Sequence, residues 1–118
     1  MTFEEALKNL AQKRPTEFCY YSKEDGFDST TFHFYKDREE KYISPYIPTQ
    51  DDIDAILAEI FWSYEVRSPK YYTAEWEFVV WKGSGNNYMA FNNGTFYGSK
   101  LEAAKAALVA VVEKEYPL

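Results

Sequence analysis

The chain has 118 residues, among them 11 Tyr, 9 Phe and 3 Trp, with one Cys, one His and a net charge of −6. That length points to a single domain, residues 1–118, and an apolar share of 46% supplies its core. No apolar run approaches the roughly 20 residues of a membrane span, and the lone Cys19 excludes an internal disulfide framework and a Cys-rich metal site.

The opening MTFEEALKNL has two Glu and no apolar stretch of the signal-peptide kind, so the expected location is the cytoplasm. Thr2 and Glu5 form a capping box, and Phe3, Ala6, Leu7, Leu10 and Ala11 recur at helical spacing until Pro15 stops the helix. Two short strands follow, at 17–21 and 30–35, joined as a hairpin by the polar SKEDGFDS. In the second strand Phe32 and Phe34 face one way, and Thr31, His33 and Tyr35 the other. KDREEK reads as a charged turn, and residues 42–50, with Pro45 and Pro48, as an extended connector.

Thr49 and Asp52 open a second helix, with Asp51, Asp52 and Asp54 at its positive end. Its apolar stripe is Ile53, Ile56, Leu57, Ile60, Phe61 and Tyr64, which leaves Trp62 off the stripe. Residues 71–81 form a strand with Ala74, Trp76, Phe78 and Val80 on the buried face, followed by strands at 88–91 and 95–97. Ser99 and Glu102 cap a last helix with the stripe Leu101, Ala104, Leu108, Val111 and Val112. The order α-β-β-α-β-β-β-α and its short links predict an α+β fold, with an antiparallel sheet of about five strands and helices packed on one or both faces.

The segments SPYIPTQDDIDAI, EWEFVVW and LEAAKAALVAVVEK resemble the phage ABA sandwich domain family over residues 43–115, with Pro45-Tyr46 and Ala103–Leu108 nearest its connector and closing helix. The resemblance implies a fold and a phage setting, in the host cell cytoplasm, and carries no catalytic residues. GSKLEAAKAAL and ALKNLAQKR also resemble the last and first helices of a double-stranded-RNA-binding domain. Lys100 and Lys105 match its phosphate-gripping positions, whereas Leu101 and Glu102 depart from them.

Charge argues against nucleic acid as a partner. Residues 1–59 hold 13 acids and 7 bases, residues 60–118 hold 6 of each, and a negative field repels a phosphate backbone. Two constellations could carry catalysis: Cys19 with His33, and Glu75 with Glu77, about 7 Å apart on one strand face. Neither pattern specifies a cofactor or a metal. The aromatic surplus gathers in FWSYEVRSPKYY, where Arg67 and Lys70 sit among rings as interface anchors do. The candidate binding residues are therefore Trp62, Tyr64, Arg67, Lys70, Tyr71, Tyr72 and Trp81.

The expected function is that of a small, acidic, non-enzymatic binding protein. It would be a phage accessory that sequesters or inhibits a host defence component, with a host protein or a small signalling nucleotide as partner. A toxin-neutralising immunity protein is the alternative, a double-stranded-RNA-binding-like module the third, and an enzyme using one of the two constellations stands behind them.

Overall fold

The computed structural model describes residues 1–36, 39–45, 47–68, 75–83 and 89–117. Along them run α1 (Phe3–Lys13), β1 (Phe18–Tyr21), a 3-10 turn (Lys23–Asp25), β2 (Thr31–Lys36), β3 (Glu39–Ile43), α2 (Gln50–Glu59), β4 (Ser63–Arg67), β5 (Glu77–Lys82), β6 (Met89–Phe91) and α3 (Lys100–Glu115). The α+β class holds. The single sheet of about five strands does not, because the described strands form two antiparallel three-stranded sheets, β1-β2-β3 and β4-β5-β6. Two compact units result, residues 1–48 with 112–118, and residues 49–111.

In the first unit, the capping box closes α1 as its sequence demands: the Glu5 amide donates to Thr2 Oγ1 at 3.1 Å, and the Thr2 amide to Glu5 Oε1 at 3.0 Å. Phe3, Ala6, Leu7 and Leu10 are buried on one side of this helix, which packs on β1. Phe18, Phe32, Phe34 and Ile43 bury the inward side chains of the three strands. Each fully buried ring of this kind contributes roughly 1.5–3 kcal/mol. Asn9, also buried, donates its side-chain amide to the Tyr116 carbonyl, and the amino group of Met1 meets Glu113 Oε1 at 3.0 Å.

The second unit begins with another capping box, in which the Asp52 amide donates to Thr49 Oγ1 at 3.2 Å and the Thr49 amide to Asp52 Oδ2 at 2.8 Å. Ile53, Ile56, Leu57 and Ile60 are buried as the stripe requires. The stripe then breaks. The Phe61 amide donates to the Ala58 carbonyl at 3.1 Å and the Trp62 amide to the Leu57 carbonyl at 2.9 Å, the two bonds of a Schellman cap. Phe61 takes the left-handed position at φ 63 that this cap normally gives to glycine, and its side chain is 83% exposed. Trp62 swings inward and is buried. The chain leaves the helix here, so Tyr64 belongs to a strand, β4, whose weak alternation was concealed behind the apparent helical stripe.

β3 was hidden in the same way, since Glu39 through Tyr42 are exposed and only Ile43 is buried. The expected strand at 95–97 reduces to one bridge between Trp76 and Tyr97, closed by amide–carbonyl bonds of 2.8 and 2.7 Å. Phe78 and Val80 are buried on β5 as expected, whereas Ala74 lies outside the described residues. Ser99 Oγ accepts from the Glu102 amide at 3.1 Å and starts α3, with Ala104, Leu108, Val111 and Val112 buried and Leu101 only half-buried.

Phe61→Gly should raise stability by about 1 kcal/mol, because it removes the left-handed strain and sacrifices no buried contact. Thr49→Ala should lower it by about 1 kcal/mol through loss of the cap. Urea midpoints at unchanged m-value measure both.

Candidate functional site

The residues expected to bind are divided by the second sheet. Ladder partners share a face, so Arg67, Glu77, Ser63, Trp81 and Ala90 project one way, and Tyr64, Val66, Phe78, Val80 and Phe91 the other. Arg67 is exposed and its Nε donates to Glu77 Oε1 at 2.8 Å. Tyr64 is half-buried on the opposite face and its hydroxyl donates to the Asp54 carboxylate. Burial first, and then this hydrogen bond to a carboxylate, push the Tyr64 phenol well above its ordinary value of 10.0.

Trp62 is a core residue and not an exposed anchor. It is 3% exposed, meets Phe91 edge-on at 5.8 Å, and lies under Lys82 Nζ at 5.1 Å from the ring centre. Trp81 is half-buried. Lys70, Tyr71 and Tyr72 lie outside the described residues, as do Tyr46 and Tyr88.

A different set of residues does converge, on the outward face of the first sheet. With Phe18, Phe32, Phe34 and Ile43 turned inward, alternation sends Cys19 and Tyr21 of β1, Thr31, His33 and Tyr35 of β2, and Glu40 and Tyr42 of β3 outward. His33 stands opposite Cys19 on one side and Tyr42 on the other. Its imidazole is stacked between two phenols, 5.0 Å from the Tyr21 ring at 25° and 5.3 Å from the Tyr42 ring at 13°. Phe27, from the hairpin loop, tilts against Tyr21 at 4.5 Å.

Polar contacts fix the stack. His33 Nδ1 meets a carboxylate oxygen of Glu40, and the Tyr42 hydroxyl donates to the other at 2.7 Å. Those two donors, with the Tyr42 hydroxyl the stronger influence, hold the Glu40 carboxyl below its usual range, and Glu40 in turn raises the Tyr42 phenol. The Tyr21 phenol is also raised, chiefly by Cys19. His33 is only 9% exposed, and its Nε2 is buried with no hydrogen-bond partner among the described residues.

Beside the stack lies an open concavity of about 340 Å³, lined by Tyr21, Phe27, Asp28, Thr31, His33 and Tyr42, among others. A second, of about 400 Å³, is lined by Cys19, Tyr21, Lys8 and Gln12 and their neighbours.

Nucleophilic catalysis by Cys19 needs a hydrogen bond from its thiol to the imidazole. The two residues are ladder partners, yet Nδ1 is engaged by Glu40 and Nε2 bonds nothing described, so that link is not made. Glu75 and Glu77 do not form a paired acid–base site either: Glu75 is exposed and Glu77 is held by Arg67. Among the described residues no three of His, Cys, Asp and Glu gather as metal ligands would, and no helix is long and apolar enough to cross a membrane.

The outward side of β2, Thr31, His33 and Tyr35, is visible in the sequence, whereas FCYY of β1 has no polar side to mark. The partners on β3 are not visible either, because Glu40 and Tyr42 fall in segments read as a turn and a connector.

No protein-family model, curated protein or solved structure matches the chain.

Tyr42→Phe deletes the main donor to Glu40, so a carbon-detected NMR titration should show the Glu40 carboxyl moving up toward its ordinary value of 4.5. A carboxyl held low in the folded state contributes stability that is present above that value and lost as pH falls through the folded pKa. At the alkaline end, the stability contributed by Tyr64 should be complete below pH 10.0 and decline above it, as the unfolded phenol ionises first. Tyr64→Phe should flatten that decline in thermal melts.

Proposed function

We propose that the chain is a non-enzymatic binding protein, that its recognition surface is the outward face of the first sheet, and that its partner is a basic protein. One observation carries this reading: three large rings stand in solvent on or beside that face, Tyr35 at 56%, Tyr42 at 67% and Phe27 at 47% exposure, around the His33 stack. Tyrosine gives large, amphipathic contact area at small conformational cost, the property that makes it frequent at binding hot spots. The phenols, carboxylates and imidazole also resist the full desolvation that a core layer would demand.

The sign of the charge selects the partner class. Glu40 lies in the face and Asp28 at its edge, in the half of the chain that holds the whole net charge of −6. Phosphate-bearing ligands, both nucleic acids and signalling nucleotides, are repelled by such a field, and a basic protein is attracted. A phage accessory that sequesters or inhibits a host defence component needs a surface of this kind and no turnover. The resemblance of residues 43–115 to a phage domain supports that biological setting, with the host cytoplasm as its place of action.

The test is affinity capture from host lysate with quantitative mass spectrometry, comparing the wild-type chain with a Tyr35→Ser/Tyr42→Ser variant and a Phe96→Ser control. Phe96 is an exposed ring of the second unit. Recovery of the partner should fall roughly tenfold or more for the double variant and stay unchanged for the control. Equal recovery by all three would overturn the placement of the surface.

A further inference from the structure

The carboxylates and the phenol and phenyl ring faces at the 340 Å³ concavity and its rim are of one electrical kind. Tyr21, Tyr42 and Phe27 present rings, whose faces are negative. Asp28 lines the hollow as an exposed carboxylate, and Glu40 adjoins it through both Tyr42 and His33. A carboxylate accepts only, so in the contact between them His33 Nδ1 donates to Glu40. His33 is the most buried member of the lining, and its Nε2 is shut off from solvent and has no partner among the described residues. The hydroxyls of Ser29 and Thr31 are 3.3 Å apart and engage each other.

A hollow with π faces and carboxylates has affinity for cations that carry N–H donors. A planar guanidinium suits it better than an ammonium. It is more weakly hydrated, it stacks on aromatic faces, and its five donors serve several acceptors at once.

We propose that this concavity is the subsite that takes an arginine side chain of the basic partner. The proposal rests on the reading of the outward face as the recognition surface, and it adds the identity of the group that is read there. The arginine lies against the Tyr42 and Tyr21 rings, with its charge toward Asp28 and Glu40. Tyr42 is the principal contact because it is both an exposed ring and the donor that holds Glu40.

The probes are two capped tripeptides, Gly-Arg-Gly and its citrulline counterpart, which has the same shape and no charge. Each is titrated into the isotope-labelled full chain and followed by NMR at the His33, Tyr21 and Tyr42 ring resonances. The arginine peptide should give saturable shifts at those rings, and the citrulline peptide should bind roughly tenfold more weakly. Added salt should weaken the arginine peptide and leave the citrulline peptide unchanged. Asp28→Asn, a substitution at an exposed position, should cost the arginine peptide a few-fold in affinity, and Tyr42→Leu should remove the shifts while backbone resonances elsewhere keep their dispersion.

The failures are distinguishable. Equal binding of both peptides at this face would overturn the arginine subsite and leave the recognition surface standing. Shifts confined to residues away from the face would overturn both. Absence of any saturable shift would overturn the subsite, with the capture experiment deciding the surface by itself.

Discussion

Phe18, Phe32 and Phe34 meet in the first unit at ring-centre separations of 5.4 to 6.4 Å, and this one contact decides what the other side of the sheet presents. Strand side chains alternate with a period of two, so a slip of one residue on β2 would turn His33 and Tyr35 inward and expose both Phe32 and Phe34. The loss of two buried phenylalanines, at roughly 1.5–3 kcal/mol each, is large against the stability of a small domain. Register is therefore locked by the inner face. The outer face inherits its pattern, Tyr21 opposite Thr31 and His33 between Cys19 and Tyr42, without having to stabilise it.

That division of labour explains which parts of the molecule were legible in the sequence. Both capping boxes, the inner face of β2 and the buried stripe of α2 as far as Ile60 follow from local rules, and the structure keeps them. The edge strands β3 and β4 do not announce themselves, because an edge strand needs only one buried side and is commonly charged on the other. In β3 the single buried residue is Ile43, opposite Phe32, and Glu39-Glu40-Lys41 reads as a turn until β2 is there to pair with it. In β4 the half-buried Tyr64 falls where a helical stripe would also put an apolar side chain, which hides its alternation with Val66. The candidate surface was half-legible for the same reason: its β2 members alternate visibly, β1 reads FCYY with no polar side to mark, and its β3 members belong to a strand that only pairing defines.

Phe61 and Trp62 show how a local rule misleads when a cap intervenes. Helical spacing assigns Phe61 to the core and Trp62 to solvent, and the Schellman turn reverses the two. The reversal buries the indole ring against Phe91, at the expense of a phenylalanine in a left-handed conformation and of an indole N–H with no partner among the described residues. No other described non-glycine residue has positive φ, which sets this exposed ring apart from the exposed tyrosines, all of which sit in relaxed strands.

The acidity of the chain separates into two kinds. Glu5 and Asp52 complete capping boxes, and Glu4 and Asp51 stand in first turns, where the helix dipole favours them. Their charge is explained by the helices they begin. Glu40 is different, for no helix end requires it. It sits on an edge strand against a buried imidazole and an exposed phenol; one oxygen ties β3 to His33 of β2 and the other accepts from Tyr42 of its own strand, on the face that needs no such tie for its register. Held this way, the Tyr21–His33–Tyr42 stack loses little further freedom when a ligand settles on it, which is the condition under which a small surface yields useful affinity. The Glu40 carboxylate contributes to folding stability, as its lowered pKa requires, and under the proposed reading it also holds the face ready for recognition.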